Sequence, residues 1–235
     1  MIDLKKKIKI ILSLGLLLIS LSVIIWNFNN DIMEVYDEIP HNSQGFGIYW
    51  VKEGAKGDGT SESSPAGNIT YILSNYDISD KVIKVKEGLY DKTVENFELI
   101  IDKENVTIKA DGSQNNTIIK ADGEYGFRVQ NNSITIVGFT FQNCSTAIYI
   151  NGGLSNQLSN ISIRSNKFIN NTVGIATLYA ESCIIKGNEI LNSTSNGSGI
   201  SMSRSKDIII NLNKITGCYD AGINFRASNI LIQSN

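Results

Sequence analysis

From about Asn105 onward the apolar positions recur as short triplets set among polar residues. Ile134-Thr135-Ile136, Ile161-Ser162-Ile163, Cys183-Ile184-Ile185, Ile208-Ile209-Ile210 and Ile230-Leu231-Ile232 start 27, 22, 25 and 22 residues apart. A second alternating run falls within each period: Gly126-Phe127-Arg128-Val129, Ala147-Ile148-Tyr149-Ile150, Gly174-Ile175-Ala176-Thr177, Gly199-Ile200-Ser201-Met202 and Gly222-Ile223-Asn224-Phe225. Each run is short, alternates in polarity and is bounded by Gly, Asn or Ser, which predicts strand rather than helix. Two or three strands in each period of 22 to 27 residues, without a helical segment between them, predict a parallel β-helix whose coils stack one on the next.

Positions that match from coil to coil carry the same chemistry. Asn166, Asn188, Asn213 and Asn235 each lie five residues after the start of a triplet, and they predict a structural ladder of side-chain amides that bond along the stack and satisfy the turn backbone. Phe141, Phe168, Ile190 and Ile215 predict an apolar stack beside it, and Lys167, Glu189 and Lys214 alternate in sign on the solvent side. On the second strand the inward set is Phe127, Ile148, Ile175, Ile200 and Ile223. That leaves Arg128, Tyr149, Ala176, Ser201 and Asn224 in one outward row, with Gln130, Asn151, Leu178, Ser203 and Arg226 in the next.

The opening of this region adds a resemblance. Tyr49-Trp50-Val51, the run Gly54-Ala55-Lys56-Gly57-Asp58-Gly59-Thr60, Ser64-Pro65, Ile69 to Leu73, Val82 to Val85 and Gly88-Leu89-Tyr90 resemble the start of pectin-lyase-like right-handed parallel β-helix proteins. The resemblance covers about Tyr49 to Asn235. It implies an all-β, right-handed solenoid whose N-terminal end is capped by a first strand and a short amphipathic helix. It implies no particular activity, because the same fold serves lyases, hydrolases, epimerases, adhesins and accessory proteins. The chain ends at Asn235 in mid-coil, and a solenoid needs a cap at each end. The expectation is that further coils or another chain cover it.

The first residues follow a different pattern. Lys5, Lys6, Lys7 and Lys9 precede an uncharged apolar run, Ile10 to Trp26, whose helical length approaches the roughly 30 Å hydrocarbon thickness. A cleavable signal has a shorter apolar core and an A-x-A-like exit. Here the first alanine is Ala55, and Ser20-Leu21-Ser22 is the one weak cleavage candidate. The expected organisation is a cytoplasmic basic segment at 1–9, a retained transmembrane signal anchor at 10–26, a stalk at 27–44 and the β-helix domain at 45–235. The bulk of the chain then lies outside a single-pass cell membrane; secretion after signal cleavage is the alternative.

Charge and candidate chemistry narrow the function. With 21 basic against 23 acidic residues, neither nucleic acid nor an acidic membrane surface is an expected partner. Glycan hydrolysis needs paired carboxylates on one face, whereas Asp102, Glu104, Asp111, Asp122, Glu124, Glu181, Glu189, Asp207 and Asp220 are spread along the repeats. Asp111-Gly112 and Asp122-Gly123 are expected to be turns. Asp220 with Arg226 offers one acid where calcium collects six to eight oxygens, and the single histidine, His41, lies in the stalk. Cys144 and Cys218 fall three coils apart, too far for a disulfide, and Cys183 replaces an inward isoleucine. No catalytic residue, metal site or cofactor is therefore expected. The sequons, such as Asn160-Ile161-Ser162, are explained by composition alone.

What remains is the outward surface. Arg128, Tyr149, Asn224 and Arg226 are the glycan-binding candidates, weighed against an ordinary solvated sheet. The expected function is a non-catalytic, membrane-anchored protein for adhesion or contact with a polysaccharide or cell-envelope glycan. Two alternatives stay open: a polysaccharide lyase, hydrolase or epimerase with its catalytic coils beyond Asn235, and a structural envelope component. Labelling of cysteines placed at Asp3 and Asn42 tests the anchor. Opposite sides should be labelled, whereas mature protein starting near Ser22 or Val23 would show cleavage.

Overall fold

A computed structural model of the chain describes residues 47–194 and 196–235. The basic segment at 1–9, the apolar run at 10–26 and the whole stalk at 27–44, with His41, lie outside the described residues. Among the described residues no helix is long and apolar enough to cross a membrane. The fold is an all-β right-handed solenoid of about six turns with one short helix.

Each coil contributes to three parallel sheets. The first runs through Gly47–Val51, Lys81–Lys86, Thr107–Asp111, Thr135–Val137, Ser162–Arg164, Ala180–Lys186 and the later halves of Ile200–Asn211 and Ile223–Gln233. The second is Gly88–Asp91, Thr117–Lys120, Thr140–Gln142, Lys167–Ile169, Glu189–Leu191 and Lys214–Thr216. The third is Leu99–Ile101, Tyr125–Val129, Thr146–Asn151 and Val173–Leu178, continued by the early halves of the two long strands. The observed register pairs Ile136, Ile163, Ile185, Ile210 and Ile232 in succession, as the triplets predict. It likewise pairs Phe127, Ile148, Ile175, Ile200 and Ile223.

The repetition begins earlier than about Asn105. Ile83 pairs with Ile108, and the second-sheet stack extends back from Phe141 through Ile119 to Tyr90. These early coils lack the asparagine that marks the later ones. Burial of this stack supplies the apolar driving force. Tyr90, Ile119, Phe141 and Phe168 are fully buried, and the Phe141 and Phe168 rings stack at 5.1 Å and 10°.

The corners decide where each strand stops. Between the first and second sheets Gly138, Ser165, Gly187, Leu212 and Ser234 have φ of 86°, 51°, 63°, 55° and 49°. Before the first sheet Asp80, Asn105, Ser133, Asn160, Ser182, Asp207 and Asn229 all lie between 52° and 58°. Left-handed backbone is costly for most side chains and mildest for Gly, Asn and Asp. That accounts for an Asn-rich, proline-poor chain. Asp122, at φ 43°, is the expected turn residue, whereas Asp111 is not: it closes a strand and pairs with Lys84 at 3.7 Å and Lys86 at 3.1 Å.

The ladder follows one step after the first of these corners. Asn188 Nδ2 donates to Ile163 O at 2.9 Å and to Asn213 Oδ1 at 2.9 Å, while its Oδ1 accepts from the Asn166 backbone N–H at 3.0 Å. Asn166 and Asn213 repeat the pattern, Asn235 donates to Ile210 O and accepts from Asn213, and Asn166, Asn188 and Asn213 are buried. A second amide of this kind escaped the sequence pattern: Asn171 accepts from Cys144 N and donates to Phe141 O at the corner after the second sheet. Lys167 and Lys214 both pair with Glu189, at 3.1 and 2.8 Å.

The helix Ile69–Asn75 buries Ile69 and Ile72 in the continuous core, as expected of an N-terminal cap. Asn68 caps it by accepting from Tyr71 N, and the buried Glu95 carboxylate accepts from Ile69 N, Thr70 N and Thr70 Oγ1. Burial holds Glu95 above its ordinary pKa despite those three bonds.

Replacing Asn188 with Leu should leave corner groups unpaired inside the stack and cost roughly 1–3 kcal/mol. Replacing the partly exposed Ser201 with Leu should change the melting temperature little. Equal shifts in thermal unfolding would contradict the observed register.

Candidate functional site

The third sheet carries the surface to which the sequence points. Its register places Arg128, Tyr149, Ala176, Ser201 and Asn224 opposite one another in successive coils, and Asn151, Leu178, Ser203 and Arg226 in the adjacent row. Small residues let these coils stack closely: a Cβ on Gly174 would meet Gly199 O at 2.6 Å, and one on Gly199 would meet Gly222 O at 2.6 Å.

Arg128 and Tyr149 come together at the N-terminal end of this face. Tyr149 stacks on Tyr125, with ring centroids 5.5 Å apart at 21°, and the Arg128 guanidinium lies 5.0 Å from the Tyr125 ring and 5.7 Å from that of Tyr149. Burial pushes the Tyr149 hydroxyl above its ordinary value, Tyr125 adds to the shift, and Arg128 opposes it. The phenol therefore remains a hydrogen-bond donor at neutral pH. Arg128 Nε also sits 2.6 Å from Glu98 Oε2. The two atoms are shielded from water yet out of line for a hydrogen bond, so the contact is an ion pair. Tyr125 and Glu98 were not among the sequence candidates. Tyr125 sits one step outside the alternating run, and Glu98 lies in the connection leading into the third sheet.

Beside this cluster a cleft of about 760 Å³ opens between the helix and the Asn96–Asp102 segment. Leu73 and Phe97 form apolar wall, and Glu98, Asp102, Glu124 and Tyr125 also line it. Two of the acids expected to be spread along the repeats, Asp102 and Glu124, thus line one cleft together with Glu98. Each is partly neutralised: Glu98 by Arg128, Asp102 by Lys103 at 3.3 Å and Glu124 by Lys92 at 3.5 Å. Among the described residues no three His, Cys, Asp or Glu side chains gather as a metal site.

Asn224 and Arg226 stand apart from Arg128 and Tyr149. They lie at the far end of the face, where Arg226, Arg204, Lys206 and Gln157 border a shallow depression of about 420 Å³. Arg204 rests 5.3 Å over the Tyr179 ring and donates to its hydroxyl, while Lys206 pairs with Glu181 at 2.8 Å. The four candidates thus mark two ends of one sheet face rather than one pocket. The cysteines are free, and burial pushes the Cys144 and Cys183 thiols up to about 12, which keeps them protonated.

The family model described as right handed beta helix region matches residues 102–235. The chain belongs to this right-handed β-helix family. No curated protein and no solved structure was found to match it. The β-helix fold is compatible with carbohydrate-related or structural roles.

Proposed function

We propose that the third sheet binds an extended polysaccharide, and that the chain is a membrane-anchored, extracytoplasmic protein of adhesion or cell-envelope contact rather than a catalyst. The carrying observation is the Tyr125–Tyr149 pair bridged by Arg128. Aromatic faces receive the apolar faces of sugar rings, while the phenol, guanidinium and nearby carboxylates suit their hydroxyls. The row then offers Ser201 and Asn224 at successive coils, with Arg226 beside Asn224 in the adjacent row. At about 4.8 Å per coil, Arg128 and Asn224 are roughly 19 Å apart, so a ligand touching both ends spans several sugars. The apolar run at 10–26 behind its lysines supports the anchor and the extracytoplasmic location.

A second reading draws on the cleft. Glu98, Asp102 and Glu124 beside Tyr125 are the groups from which glycan cleavage would need an acid and its partner. Their ion pairs with Arg128, Lys103 and Lys92 favour the binding role.

Incubation of the full chain with neutral glycans and polyuronates, with and without calcium, separates these readings. The expected result is retention on an extended polysaccharide without product, and no detectable binding of monosaccharides. The Tyr149→Ala, Arg128→Ala double variant should weaken that retention by about tenfold or more. Product formation would overturn the non-catalytic reading, and unchanged affinity in the double variant would overturn the proposed face.

A further inference from the structure

The outer face of the first sheet carries a second, different surface. Trp50, Lys84, Lys109, Val137, Arg164, Lys186, Asn211 and Gln233 pair in succession along it, one per coil. Four of these are cations and none is an acid. At about 4.8 Å per coil, Lys84 to Lys186 spans roughly 19 Å.

The charges differ in how far the protein already satisfies them. Asp111 pairs with Lys84 and Lys86, and Lys186 has a partner within the chain. Among the described residues neither Lys109 nor Arg164 has a carboxylate within ion-pair distance, and Arg164 Nε is buried without a hydrogen-bond partner. Lys109 and Arg164 lie two coils apart with Val137 between them. On one side the neighbouring outward row, Val82, Thr107, Thr135, Ser162 and Ile184, is uncharged; on the other stand Lys86 and Asp111, paired with each other, with Asp111 also feeling the charge of Lys109. The positive charge is therefore a narrow line, and Arg164 is its cation farthest from any paired acid.

We infer that this line docks a linear phosphodiester polymer without bases, of the polyol phosphate type, with Lys109 and Arg164 as its principal contacts. A line of separated cations matches a flexible chain with one negative charge per repeat, since lysine and arginine both hold phosphate. Stacking of a nucleobase or a sugar ring would use a free aromatic face. The only ring in the row, Trp50, is covered by Lys84 and Lys86 at 4.3 and 4.7 Å. An anionic bilayer calls for a broad basic patch with apolar residues to insert, not a single row. The surface is separate from the third sheet and does not depend on polysaccharide binding there.

The test uses the full chain and four probes: synthetic poly(glycerol phosphate), polygalacturonate, an oligothymidylate and phosphatidylglycerol vesicles. Poly(glycerol phosphate) should bind most tightly and weaken steeply as salt rises, because binding releases counterions. The Lys109→Gln, Arg164→Gln double variant should lose about tenfold or more of that affinity with its circular dichroism unchanged, while Tyr149→Ala retains it. If the double variant misfolds, Lys109→Gln alone should still weaken binding severalfold. No binding of poly(glycerol phosphate), binding that the charge variants leave intact, or tighter binding of any other probe would each overturn the inference.

Discussion

The corner between the first and second sheets is the constraint on which the rest of the molecule depends. There the backbone enters the left-handed region in each coil from Gly138 onward, and the groups freed by the turn must be bonded away from water. Gly138, Ser165, Gly187, Leu212 and Ser234 take the left-handed step, and in the later coils Asn166, Asn188, Asn213 and Asn235 follow immediately. Each amide donates to a carbonyl of the preceding coil while its oxygen accepts from a backbone N–H of that same preceding coil, so one residue type both closes the turn and sets the vertical register. The earliest corner of this type has Phe139 in place of asparagine. Its backbone N–H is bonded by Asn166 of the next coil at 3.0 Å, as the N–H groups of Asn166, Asn188 and Asn213 are by the asparagines that follow them.

Fixed register produces the functional surfaces. Because every strand is held opposite its predecessor, alternation sends Ile, Phe and Val inward at one position and leaves the next as a row on the outside. Residues some 25 apart in sequence thereby become neighbours. The third sheet gathers Tyr125, Arg128 and Tyr149 beside a cleft, and the first gathers Lys109 and Arg164 in a narrow basic line. The two faces differ in the availability of aromatic surface: the Tyr149 ring is half-buried but approachable, while the Trp50 ring is covered by two lysines.

The parts legible in the sequence were those that repeat. Isoleucine triplets, the asparagines five residues on and the Phe141–Phe168 stack were all visible because the same position recurs at a nearly constant period. The coils at Lys81–Asp91 and Thr107–Lys120 share the architecture without the asparagine, and their place in the stack emerges only from the pairing of Ile83 with Ile108 and Tyr90 with Ile119. The row of Arg128, Tyr149 and Asn224 was legible for the same reason. Its chemistry was less so. Glu98, which pairs with Arg128, lies in a connecting segment outside the repeat, and the cleft forms only when the Ile69–Asn75 helix packs beside that segment. Glu95 likewise carried no sequence signal, since nothing in the local pattern relates it to the N–H groups of Ile69 and Thr70.

The most direct measure of the ladder is a double-mutant cycle in chemical denaturation. Asn188→Ala and Asn213→Ala remove adjacent rungs that share a hydrogen bond of 2.9 Å. Asn166→Ala and Asn213→Ala remove rungs with Asn188 between them. Adjacent rungs should show a coupling energy of about 0.5–3 kcal/mol, and the separated pair should be additive within about 0.5 kcal/mol. Additivity for both pairs would contradict the view that the asparagines act as one bonded column.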